Sequence, residues 1–116
     1  MVPPDTSHQA LASAAFIARQ SKTEQVKLLI WLAHVLSTHG RAFYEKNAPV
    51  PVRGATQLGA TNECVNRIVG YVLAELRGND TYPMSVLIQD VFSQAVAVGI
   101  NPAFLHDQIV TQAIAS

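Results

Sequence analysis

LGATNECVNRIVGYVLAELRG, residues 58–78, decides the fold. Leu58, Thr61, Val65, Ile68, Val69, Val72 and Leu76 recur at three- and four-residue steps, the spacing that lines one face of an α-helix. Gly78 follows directly, and glycine enters the left-handed region that ends helices without steric cost. The other side of this helix carries Glu63 and Arg67 one turn apart, with Asn62 and Asn66 flanking them and Gly70 and Ala74 beyond.

Working outward, the C-terminal side is punctuated twice more. Asn79 and Asp80 make a turn, and Pro83 stands where a first helical residue belongs, because its missing N–H costs nothing there. Met84, Leu87, Ile88, Val91, Phe92, Ala95 and Val98 form the next stripe, closed by Gly99. Asn101-Pro102 repeats the cap-and-proline start, and Leu105, Ile109 and Ala113 face inward from a last helix.

On the N-terminal side, Thr6 is expected to cap a first helix running to about Gln20, with Leu11, Ala14, Ala15 and Ala18 on one side and Phe16 and Ile17 beside them. Ser21 with Glu24 has the capping-box pattern and opens a second helix. Its main stripe is Leu28, Leu32, Val35, Leu36, Ala42 and Phe43, and a second strip holds Val26, Ile30, Ala33 and Tyr44. A helix apolar on two sides is central in its domain or shared with a second subunit. Gly40 is expected to end or bend it. Pro49 and Pro51 impose an extended course from Asn47 to Arg53, with Val50 and Val52 tucked against the core, so the third helix is expected to start near Thr56 or Thr61.

No strand-like alternation competes with these helices, apart from the short Val50-Pro51-Val52 stretch, and no repeat or low-complexity tract appears. The sequence predicts one all-α domain over residues 1–116: a compact bundle of four to five helices joined by short Pro/Gly/Asn turns, with Met1 to Asp5 a loose lead-in.

Composition narrows the function. The chain has 116 residues, 49% of them hydrophobic and only 14% charged, against roughly a quarter charged in an average domain. So few charges leave apolar surface exposed or covered by another chain. Eight basic and eight acidic residues balance, and there is no basic run to neutralise phosphates, which argues against nucleic acid. The longest apolar run, Leu28–Ala33, is far short of the roughly 20 residues that span a bilayer. With no secretory pattern at the N-terminus, the expected location is cytoplasmic. Asn79-Asp80-Thr81 then reads as a chance glycosylation match. Cys64 has no partner for an intrachain disulfide and reads as a small buried hydrophobe.

Candidate chemistry is thin. His39 projects near the middle of the second helix's stripe, while Gly40 beside it suggests a helix end whose carbonyls the ring can satisfy. His34 and His39 are five apart rather than four, and His106-Asp107 lacks the further ligands of a metal site, so no metal and no cofactor is expected. Residues 54–61 have the glycine spacing of a phosphate loop, but Ala60 replaces the lysine and no strand precedes. Arg53 beside a helix N-terminus is the weaker remnant of that idea, as an anion contact. Glu63 and Arg67 are expected to pair on the surface.

Two functions follow as expectations. The first is a small helical protein-interaction module, adaptor or regulator, acting as a homodimer and without catalysis. Its contacts would come from Val26, Ile30, Trp31, Tyr44, Gly70 and Ala74, large aromatics being favoured at interfaces and small residues allowing close helix approach. The second is a small-molecule or anion-binding or catalytic domain, with a polar pocket between helices around Asn62, Glu63, Asn66 and Arg67, joined by His39 and Arg53.

Overall fold

The computed structural model describes residues 6–46, 51–80 and 82–115, with side chains described outside 51–57 and 115. Five helices follow one another: α1 (Ser7–Ala18), α2 (Lys22–Lys46), α3 (Pro51–Leu76), α4 (Met84–Ala97) and α5 (Pro102–Ala115). The architecture is all-α, and no strand occurs among the described residues.

Local chemistry sets most of the helix ends. Gly78 and Gly99 have φ of 73° and 89°. After α3, Gly78 N–H donates to Glu75 O and Asn79 N–H to Ala74 O; after α4, Gly99 N–H donates to Val96 O and Ile100 N–H to Ala95 O. Both ends are therefore Schellman motifs, with the following residue, Ile100, buried in the second case. Asn101 Oδ1 accepts from Ala103 N–H at 2.9 Å and Phe104 N–H at 3.4 Å, so the asparagine caps α5 as its sequence implied. Ser21 Oγ accepts from Glu24 N–H at 3.2 Å, and Gln25 Nε2 reaches back to the carbonyls of Ala18 and Gln20 that end α1. The return half of the capping box is missing: Glu24 Oε1 is buried with no hydrogen-bond partner among the described residues.

Several expectations give way. Thr6 makes no side-chain cap, and α1 stops at Ala18. Its buried line is Ala10, Ser13, Ala14 and Ile17, which leaves Leu11, Ala15 and Ala18 exposed. Gly40 does not end α2; it is buried mid-helix, and a Cβ there would stand 2.5 Å from Thr61 Cγ2. Glycine at this point lets α2 and α3 approach closely. Ala42 is exposed rather than in the stripe. The third helix begins at Pro51, because proline is well tolerated in a first turn, so residues 51–53 are helical rather than extended. Residues 47–50, with Val50, and the Val52 side chain lie outside the described residues. Pro83 is the cap of α4, with ψ of 148°, one residue before the first helical one.

α2 and α3 run antiparallel. Lys22 Nζ meets Glu75 Oε2 at 3.1 Å at one end, and Gly40 faces Thr61 at the other. The core is built on Ile17, Leu28, Leu29, Leu32, Leu36, Ile68, Leu87, Ile88, Val91, Phe92, Leu105 and Ile109, so the α4 stripe holds as read, with Met84 half-buried at its start. The α3 stripe is rotated from its expected line. Thr61, Cys64, Ile68, Tyr71 and Val72 are buried, whereas Val69 and Leu76 are exposed. Helix α3 packs against α2 on one side and α4 on the other, and the α4 contact draws in Cys64 and Tyr71.

Candidate functional site

Polar chemistry in this molecule concentrates where α3 meets α4 and the turn between them. Arg67 Nε donates to Asp90 Oδ2 at 2.7 Å, joining the two helices through side chains that both remain partly exposed. The Tyr71 and Tyr82 rings lie 5.9 Å apart between centroids, tilted by 57°, a favoured aromatic arrangement. Arg67, Tyr82, Val86 and Asp90 line a depression of about 460 Å³. An adjoining one of about 330 Å³ is lined by Arg67, Gly70, Tyr71, Asp80 and Tyr82.

Cys64 is buried, consistent with its reading as a small hydrophobe. Its thiol is pushed up to about 12, first by burial and then by the Asp90 carboxylate. The Asp90 hydrogen bond holds the Arg67 guanidinium further above its ordinary value, and burial raises the Tyr82 phenol, with Arg67 opposing. All three shifts move away from neutrality, while general acid–base work needs a group poised near the working pH. As a chemical unit, the Arg67–Asp90–Tyr82 group ties α4 to α3.

The expected Glu63–Arg67 pair is replaced by this contact. Asn62, Glu63 and Asn66 are exposed on the outward side of α3, and Arg67 lines both depressions beside α4. His39 is exposed instead of sitting mid-stripe, because at that level of α2 the inward positions are taken by Gly40, buried against Thr61, and by Phe43, packed on the core. It lines a separate depression with Ala42, Phe43, Lys46, Val98 and Gly99. The Arg53 side chain lies outside the described residues. A further groove, about 540 Å³, follows the second half of α2 along His34, Ser37, Thr38, Arg41, Ala42 and Glu45.

One hydroxyl–imidazole pair escaped the sequence reading: Ser13 Oγ lies 2.7 Å from His106 Nδ1, joining α1 to α5. Ser13 has no exposed surface, and His106 is half-buried beside it. Among the described residues, no group of three or more His, Cys, Asp or Glu side chains is placed to hold a metal.

Of the expected interface residues, Val26 and Trp31 pack partly against the core, Tyr44 and Ala74 are half-buried, and Gly70 is exposed. Ile30 remains 47% exposed. The antiparallel register set by Lys22–Glu75 and Gly40–Thr61 brings Ile30 level with Val69, and Val26 level with Leu73. Val69, Leu73 and Leu76 are 38%, 44% and 60% exposed, so α2 and α3 together present an aliphatic patch to solvent. The α3 half of this patch is not visible in the sequence, because helical periodicity places Val69 and Leu76 in the core stripe. No helix among the described residues is long and apolar enough to cross a membrane. The chain matches no protein-family model, no curated protein and no solved structure.

Proposed function

We propose that this chain is a small cytoplasmic protein-interaction module, an adaptor or regulator without catalysis, that works as a homodimer through the outer face of the α2–α3 hairpin. The observation that carries the reading is the patch of Ile30, Val69, Leu73 and Leu76, four large aliphatics left partly in water on adjacent helices. Covering each of these half-exposed side chains is worth about 1 kcal/mol. A symmetric dimer counts every residue twice. The alternative, a small-molecule or anion site around Asn62, Glu63, Asn66 and Arg67, draws less support, since Arg67 turns to Asp90 and the two depressions it lines do not include the other three.

Sedimentation equilibrium at micromolar concentration tests the reading. The expected mass is twice the 12.5 kDa of one chain. Ile30→Glu and Leu73→Glu alter exposed positions, so each is expected to give a folded monomer with an unchanged helical circular-dichroism signal. A wild-type protein that stays monomeric throughout would refute the proposal.

A further inference from the structure

Resting on the homodimer reading above, we infer that two copies meet with α3 antiparallel to its counterpart, about a two-fold axis close to Gly70. The outward line of α3 carries Glu63 and Gly70, and Arg77, just past the helix end, continues it at the same step of seven residues, its N–H still donating to Leu73 O at 3.1 Å. Seven residues are almost two full turns, so all three project in nearly the same direction, with each charge about 10 Å along the axis from the glycine. α2 and α4 flank α3, and all three of these residues are exposed. Neither Glu63 nor Arg77 has an ion-pair partner among the described residues.

This arrangement is complementary to itself in only one sense. An axis at Gly70 exchanges the level of residue 63 with that of residue 77, so Glu63 faces the partner's Arg77 at both ends of the contact. A parallel pairing sets Glu63 against its own copy and Arg77 against its own, and like charges juxtaposed at an interface disfavour that partner arrangement. A Cβ built on Gly70 meets nothing within 4 Å, so the two backbones have room to approach at the midpoint. Leu73 stands one turn on and Val69 beside it, which draws the aliphatic patch into the same contact and leaves Ile30 at its flank.

The test uses the full chain with cysteine placed on the proposed axis. Gly70→Cys is expected to form an intermolecular disulfide under mild oxidation, seen as a dimer on a non-reducing gel. Gln89→Cys, exposed on α4, is the control and is expected to stay monomeric on that gel. Glu63→Lys is expected to weaken the dimer roughly tenfold, and adding Arg77→Glu to restore it. If the wild type is a dimer, yet Gly70→Cys crosslinks no faster than Gln89→Cys or charge reversal leaves the mass unchanged, the antiparallel contact is wrong and the homodimer stands. If the wild type is a monomer, both fall.

Discussion

Replacing Gly40 by alanine sets two well-characterised effects against each other at one position. In an exposed helix interior, glycine to alanine gains up to about 1 kcal/mol from backbone entropy. Gly40 is buried, and its new Cβ would lie 2.5 Å from Thr61 Cγ2, 3.1 Å from Cβ and 3.2 Å from Oγ1. Thr61 cannot turn aside freely, because it has no exposed surface and its Oγ1 accepts from Gln94 Nε2 at 2.8 Å. Rotating it away forfeits about 1 kcal/mol of hydrogen bonding, and forcing the helices apart costs about 1–3 kcal/mol as overpacking. The overlap wins. Gly40→Ala is expected to destabilise by about 1–2 kcal/mol, measured by urea denaturation, with the melting temperature lowered by roughly 4 °C or more. Gly59 is the internal control: it is exposed, a Cβ there meets nothing within 4 Å, and Gly59→Ala should stabilise by up to about 1 kcal/mol. Thr61→Ser deletes the offending methyl, so on that background Gly40→Ala should lose most of its penalty, giving a coupling of about 1–3 kcal/mol in the double-mutant cycle. If Gly40→Ala stabilises the protein as much as Gly59→Ala does, the close α2–α3 approach is not real.

Two other consequences can be measured on the same material. Asn101→Ala removes the acceptor for the Ala103 and Phe104 amides and should cost about 1 kcal/mol in urea unfolding; no change would mean the cap contributes nothing. The Cys64 thiol, raised from an ordinary 9.0 to about 12 by burial, should resist a thiol reagent in the folded protein at pH 8 and react at once in denaturant. The same shift links stability to pH. The fold favours the protonated thiol, so this contribution is fully present below about pH 9 and is lost as pH rises through the window up to about 12. A stability that rises with pH across that window would contradict the burial.

How much of this could be read from the chain depended on whether the controlling physics was local. The ends of α3 and α4 were legible because a glycine at positive φ answers a need of its own turn, and Gly78 and Gly99 both take that conformation. The α4 stripe was legible because this helix touches all four others, so packing around it buries most of its apolar face. Pro51 misled because Pro-x-Pro suits an extended strand as well as a first helical turn, and only the course of the following residues decides between them. Rotation of a helix about its axis is not local at all. Periodicity established that α3 is a helix, but the position of α4 turned Cys64 and Tyr71 inward and left Val69 and Leu76 in water.

The candidate sites show the same boundary from the functional side. Within one helix, Glu63 is the obvious partner for Arg67, because spacing along the chain is all that the sequence displays. Asp90 takes that place from a different helix, 23 residues away, once α3 and α4 are side by side. The loss of Arg67 to α4 leaves Glu63 on the outward face without an ion-pair partner among the described residues, two turns from Gly70, with Arg77 two turns beyond the glycine. Two-sidedness in α2 first suggested self-association, yet Ala33 is buried and Val26 packs on the core inside one protomer. The case for a second copy therefore moves to α3, where a charge freed by one non-local contact and aliphatics turned outward by another share a single surface. Its two charges are opposite in sign and equidistant from a glycine, a pattern that an antiparallel copy of the same helix satisfies and a parallel copy does not.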